Sequence, residues 1–140
     1  MLPGSTRIAD VQWVPSAIAP VIEITEYGRT YVKGFLLHNT TPSAVNIKIH
    51  VVPAVDDLLG QPSILNQVLD VDIPARDTLC FDLSYPVTLQ AIGDSVQAVA
   101  SVAEAVSITP LGITAPRGLA NASIASAAFE FSSMPPAANP

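Results

Sequence analysis

Prolines spaced along the whole sequence limit the elements that this chain can form. Thirteen prolines divide the 140 residues into short segments. Proline lacks a backbone N–H donor and clashes with the preceding helical turn, so it interrupts helices and the central strands of sheets. The segments between the prolines are rich in Val, Ile, Thr and aromatic residues, which favour strands. Short strands with turn signals between them predict an all-β sandwich or barrel.

Alternation of apolar and polar side chains is clearest at residues 45–52, which read VNIKIHVV. One face of this strand is apolar and the other carries Asn46, Lys48 and His50, because successive side chains point to opposite faces. Residues 31–38 (YVKGFLLH) are apolar on both faces, which is typical of a strand covered on both sides. About eight strands are predicted in total, at residues 21–26, 31–38, 45–52, 68–73, 79–83, 95–103 and 106–109 and at the end of 119–131.

Two connections between these strands carry further signals. Residues 39–43 (NTTPS) are turn formers, and they predict a hairpin that joins 31–38 to 45–52. In such a hairpin His38 and His50 are about 16 Å apart along the strands, too far to share one metal ion. Residues 62–69 (PSILNQVL) are the best helix candidate, with Ser63 as its cap, but they also fit a loop that enters a strand.

The length of the chain suits one domain, residues 1–140, with a single core. We expect the core of the antiparallel β-sandwich at about residues 11–131. The two ends, residues 1–10 and 132–140, are rich in small residues and proline. They predict extended N- and C-terminal arms, which either are disordered or lie along a neighbouring subunit.

The low content of charged residues points to a partner. Charged residues make up 13% of the chain and hydrophobic residues 49%, whereas an ordinary domain has roughly 25% charged residues. Much of the surface is therefore expected to be covered by another protein. The net charge is −6 and the six basic residues form no cluster, so direct nucleic-acid binding is not expected.

The beginning of the sequence and its longest apolar runs indicate where the chain folds. Residues 1–10 (MLPGSTRIAD) lack the charged segment and apolar run of a signal peptide. No run approaches the ~18 apolar residues of a membrane span. We therefore expect a chain that is made and folded in a reducing cytoplasm, with no membrane partner.

Residues that could perform chemistry are few and scattered. Cys80 cannot form a disulfide within the chain and, inside LCFDL, is expected to be a small buried side chain. The sequence has no G-x-S-x-G nucleophile motif and no D-x-D-x-D-G calcium loop. Its seven glycines stand singly, so no phosphate-binding loop is present. We predict no catalytic residue, no metal ligand and no cofactor, and hence a protein that is not an enzyme. The enzyme alternative would depend on His38 and His50 as bases.

Five residues are predicted to be candidates for an interface. Trp13 follows the N-terminal arm and fits either a lid on the core or an interface anchor, since tryptophan is enriched at interfaces. Tyr27 stands beside Gly28 at a predicted turn. Asn46, Lys48 and His50 form a row on the polar face of one strand, where they are expected to meet solvent or a neighbour.

The order of three phrases in the middle of the chain resembles a family of small virion proteins of tailed phages. The phrases are LLHNTTPSAVNIKIHVVP, VLDVDIPARDTLCFDL and PVTLQAIGDSVQAVASVAEAVSITPLGIT. Together with the acidity and the flanking arms, they are most similar to the capsid cement, or decoration, proteins. The resemblance implies a jelly-roll sandwich that forms a homodimer and binds the major capsid protein on the exterior of the capsid. It implies no functional residues.

Three other interpretations stay open. A β-sandwich module associated with a phage tail or spike would bind a host sugar or protein, and it would need an exposed aromatic or polar cluster at one end. A small hydrolase or epimerase would need one of the histidines. A β-rich cellular protein unrelated to phages is also compatible with the sequence.

Overall fold

The computed structural model describes residues 6–26 and 28–116 of the chain. This part contains nine strands and one turn of 3-10 helix at Ile64–Asn66, and no helix in it is long and apolar enough to cross a membrane. The strands are β1 (Thr6–Arg7), β2 (Gln12–Trp13), β3 (Ala19–Glu23), β4 (Gly28–Asn39), β5 (Val45–Val52), β6 (Gln67–Ile73), β7 (Thr78–Leu89), β8 (Ser95–Ala100) and β9 (Val106–Pro116).

The strands form two antiparallel sheets. In sheet I, β9 lies between β4 and the pair β1 and β2, which lie end to end along it, and β7 forms the far edge beyond β4. In sheet II the order is β3, β8, β5 and β6. From β2 onward, every connection except β5–β6 leads from one sheet to the other. This strand order is that of the jelly roll, two Greek keys folded into a sandwich, so the predicted fold class is confirmed.

The predicted arms are only partly within the described residues. Within the predicted N-terminal arm, β1 pairs with β9, and Ile8 donates its backbone N–H to the carbonyl of Pro110 at 3.1 Å. Ile8 and Ala9 also pack against the core. Residues 6–10 therefore belong to the sandwich, and the predicted boundary at residue 10 is wrong. The arm at 132–140 and the strand expected near the end of 119–131 lie outside the described residues.

The core lies between the inner faces of the two sheets. Ile47 and Ile49 of sheet II are fully buried there, as are Phe35 and Leu37 of sheet I. The rings of Phe35 and Phe81 stack with centroids 6.3 Å apart and an interplanar angle of 13°. Burial of each such side chain contributes roughly 1.5–3 kcal/mol to stability. The alternation predicted for residues 45–52 is confirmed, since Val45, Ile47 and Ile49 of β5 are buried in the core.

The apolar sequence of strand β4 predicted a strand covered on both sides, but the structure covers only one side. A β-bulge at Lys33 and Gly34 shifts the alternation by one residue. Phe35 and Leu37 consequently face the core, whereas Leu36 faces outward and is 40% exposed. Gly34 is required at the bulge because a Cβ there would collide with the carbonyl oxygen of Phe81.

The predicted hairpin between β4 and β5 is wrong, because the two strands belong to different sheets. The buried Asn39 holds the chain where it crosses between them. Its Nδ2 donates to the carbonyls of Ser43 (2.7 Å) and Ile73 (2.9 Å), and its Oδ1 accepts from the backbone N–H of Thr41 at 2.9 Å. These bonds tie the crossing to the end of β6, so the turn residues serve a change of sheet.

Two other predicted elements differ in extent. The helix candidate contains only the 3-10 turn, which is capped by Ser63, and β6 begins directly after it. The alternative, a loop entering a strand, is therefore confirmed. Strand β7 continues through Pro86 to Leu89, well beyond the predicted end at residue 83. An edge strand tolerates this proline because its outward backbone N–H groups have no partner strand.

Candidate interaction surfaces

The predicted interface residues lie on the outer faces of both sheets. Trp13 lies on sheet I, and Asn46, Lys48 and His50 lie on sheet II. Tyr27 is outside the described residues. The five residues therefore do not form one site.

The row on β5 begins with a polar network on the outer face of sheet II. Asn46 Nδ2 donates to one carboxylate oxygen each of Asp70 and Asp72 on β6, both at 2.9 Å. Lys48 Nζ donates to Asn46 Oδ1 at 3.0 Å. Asn46 and Lys48 are only partly exposed, whereas the two aspartates are exposed. The network therefore presents negative charge to solvent.

His50 continues the row but does not meet solvent. It is 6% exposed and lies opposite Gln97 of β8. Gln97 Nε2 donates to the carbonyl of Gly60 at 3.1 Å and to Ser95 Oγ at 3.1 Å. Residues 53–66, which we call the β5–β6 loop, are thereby held over this end of the face. The prediction that His50 meets solvent is therefore wrong, because the side chain is buried, and a contact of His50 with a neighbour stays a prediction.

Burial of His50 has an electrostatic consequence. Its Nδ1 atom is buried and has no hydrogen-bond partner. Burial lowers the pKa of the imidazole below its usual 6.5, and the positive charge of Lys48 lowers it further. Both effects favour the neutral form of the His50 imidazole.

The β5–β6 loop has a well-defined local structure. Val55 and Leu58 exchange two backbone hydrogen bonds of 2.9 Å, and Asp56 and Asp57 between them have φ values of 52° and 62°. Positive φ at both central residues is the geometry of a type I′ hairpin turn. Ala54 donates its N–H to Asp94 Oδ1 at 2.8 Å, which fixes the base of the hairpin. The loop is therefore tied down at several points.

Several apolar side chains of this loop are nevertheless exposed to solvent. Leu65 is 94% exposed and Ile64 is 77% exposed. The exposed apolar side chains of the loop and the start of β6 are Val55, Leu58, Leu59, Ile64, Leu65 and Val68. Interpreting 62–69 as a helix concealed this cluster, although LL and IL between turn residues were a visible signal of an exposed apolar loop. Several exposed apolar side chains on one ordered loop are typical of an interaction site.

The outer face of sheet I carries exposed apolar side chains. Trp13 is 47% exposed, and Leu36 and Ile113 are each 40% exposed. Trp13 therefore does not serve as a buried lid on the core. Cys80, which the sequence placed in the core, is exposed on the outer face opposite Leu36. Sequence reasoning missed this face because the bulge in β4 decides which side Leu36 occupies.

The two histidines are not brought together. His38 lies on the outer face of sheet I, where its Nδ1 is hydrogen-bonded to Thr78 Oγ1 at 2.8 Å. His50 belongs to the other sheet. Among residues 6–26 and 28–116, no group of three or more His, Cys, Asp or Glu side chains is placed to hold a metal ion.

No family model, no curated protein and no solved structure matches this chain. The features of the chain that bear on its function are the jelly roll and its two surfaces with exposed apolar side chains, the β5–β6 loop and the outer face of sheet I.

Proposed function

We propose that the chain is a structural virion protein that binds the outside of a tailed-phage capsid and cements neighbouring major capsid proteins. The observation that carries this proposal is that one small domain has two separate exposed apolar surfaces. A protein that bridges neighbours must bind on at least two sides. The resemblance of the sequence to phage cement proteins and the use of jelly rolls in viral capsids add support.

The proposed mechanism is binding alone. Each surface offers apolar area that is removed from water on contact, at about 25 cal/mol per Å². Copies of the chain associate with one another, as a homodimer in the simplest case, and with the major capsid protein. A weak contact repeated around a shell becomes strong by multivalency, because each bound copy places its neighbours at high effective concentration.

Particles with and without the protein provide the test. We expect particles that lack it to expand or rupture at a lower temperature than complete particles. When salt is lowered, they should rupture at a higher salt concentration than complete particles. Adding back the purified protein should restore stability, whereas the Leu65→Lys variant should restore less if the β5–β6 loop contacts the shell. Equal resistance of the two kinds of particle would contradict the cement function.

A recognition module of a tail or spike is the second candidate. The observation that favours it is the compact β5–β6 loop, whose Leu65 is almost fully exposed. Ordered loops on a rigid sandwich are frequent recognition elements. Copy number separates the two proposals, because a cement protein is present in numbers comparable to the major capsid protein and a tail module in only a few copies.

A further inference from the structure

Charge is distributed unevenly between the two apolar surfaces. Three of the six basic residues of the chain, Arg7, Arg29 and Lys33, lie along the outer side of sheet I. Asp82 on β7 is the acidic residue among the strand positions of that face. Although the chain as a whole has a net charge of −6, this apolar face has a basic rim.

The opposite side of the molecule is acidic. Asp56 and Asp57 form the tip of the hairpin in the β5–β6 loop, next to its exposed apolar side chains. Asp70 and Asp72 follow on the adjoining strand β6, where Lys48 is the nearby basic residue. The apolar side chains of the loop therefore have two aspartates at the hairpin tip and two more farther along the same side of the molecule.

Contacts between like surfaces would bring like charges together. Two copies joined loop to loop by a two-fold axis would place the pair Asp56 and Asp57 of each near the same pair of the other. Two copies joined through sheet I would likewise bring their basic rims together. Like-charge juxtaposition opposes association, whereas a contact between the loop and sheet I would match negative with positive charge and apolar with apolar area.

We propose that the β5–β6 loop of one copy docks on the outer face of sheet I of a second copy. Its apolar residues would cover the area around Trp13 and Leu36, and its aspartates would meet the basic rim. The inference rests on the proposed function in taking copies of the chain as partners, and it specifies the contact between them. A contact between unlike surfaces leaves one of each free, so it generates closed rings or open rows. Such assemblies suit a protein that covers a shell.

Sedimentation equilibrium of the purified full chain tests the contact. We expect a mass that exceeds the 14.6 kDa of one chain and rises with protein concentration. Association should weaken by about tenfold between low and physiological salt, because exposed charge pairs are screened. A wild-type mass of one chain at every concentration and salt would overturn the proposal.

Two variants and their mixture decide which surfaces meet. Ile64→Lys with Leu65→Lys gives the loop positive charge, and Arg29→Glu with Lys33→Glu makes the rim of sheet I acidic. Each should sediment as a single chain, whereas an equimolar mixture should associate again, because each partner retains one native surface. Val102→Lys, at a position 48% exposed outside both surfaces, is the matched control and should behave as wild type. Circular dichroism checks that all variants are folded.

Each alternative contact gives a different pattern. If the loop variant still associates, the contact is between two copies of sheet I or through neither surface. If the sheet I variant still associates, it is between two loops or through neither surface. Either pattern, or a mixture that stays dissociated, would overturn the proposal. None of these results depends on capsids, so failure of the particle-stability test alone would reject the cement function and leave this contact intact.

Discussion

The outer faces of the two sheets differ although both are built from alternating strands. On sheet II, the β5–β6 loop folds back over one end, buries His50 and leaves an acidic polar network at the other end. On sheet I no such cover is present in the described part of the chain, and Trp13 and Leu36 stay exposed. The β5–β6 connection, which stays within sheet II, therefore decides that the outer face of sheet II is partly covered.

The largest loss of stability from a substitution on either outer face is expected at Gly60, in the β5–β6 loop on sheet II. A Cβ at this position would collide with the carbonyl oxygen of Pro53 and lie 2.8 Å from Val52 Cγ1. Gly60→Ala should therefore lift the loop from sheet II and lower the free energy of unfolding by about 2 kcal/mol or more. Urea denaturation measures the loss. An unchanged midpoint would show that the loop is not packed tightly on sheet II.

A smaller loss is expected from Gln97→Leu. The leucine fills a similar volume but leaves the buried carbonyl of Gly60 without its donor, which should cost about 1–3 kcal/mol. Thr109→Val on the outer face of sheet I is the matched change, and it should alter stability by no more than about 0.5 kcal/mol. Equal effects of the two substitutions in urea denaturation would contradict the difference between the faces.

The buried imidazole of His50 should make stability depend on pH. Its pKa is lowered in the folded state, mainly by burial and further by Lys48, so the unfolded chain binds more protons just below pH 6.5. The free energy of unfolding should decrease as pH falls from 6.5 through the folded-state pKa and then level off. The His50→Gln variant should lack this component. The difference in the free energy of unfolding between wild type and variant should therefore vary with pH over the same range. Parallel profiles would mean that the loop does not exclude water from His50.

The smallest effect on stability is expected on the open face. Leu36→Thr replaces a 40% exposed leucine by a good strand former, so the free energy of unfolding should change by no more than about 0.5 kcal/mol. Leu37→Thr, one residue along and fully buried, is the control and should be clearly destabilising. A large loss from Leu36→Thr would mean that this face is covered in solution.

Alternation predicted the strands well, because burial of one face imposes a period of two on the sequence. Strand β5 shows this clearly, and its inward residues form part of the core. Local patterns do not state which sheet a strand joins. The turn residues after His38 predicted a hairpin, yet the buried hydrogen bonds of Asn39 to the end of β6 lead the chain into the other sheet. Pro86 likewise lies within a strand, since that strand is an edge.

The candidate surfaces were predictable only in part. The row of Asn46, Lys48 and His50 was placed correctly on one strand face, but the burial of His50 depends on a loop that returns from beyond the strand. Exposure of Leu36 depends on the bulge at Lys33 and Gly34, whose mark in the sequence is one glycine inside an apolar strand. Leu65 was visible as an apolar residue among turn formers, but the extent of its exposure follows from the loop conformation that only the structure gives.

Electron microscopy of purified particles that contain the chain tests the central proposal most directly. A cement protein should appear as density on the outer surface of the capsid, between neighbouring major capsid proteins, in numbers comparable to theirs. The jelly roll should fit that density with the β5–β6 loop or the outer face of sheet I in a contact. Density confined to a tail or spike, or particles without the chain, would contradict a cement function.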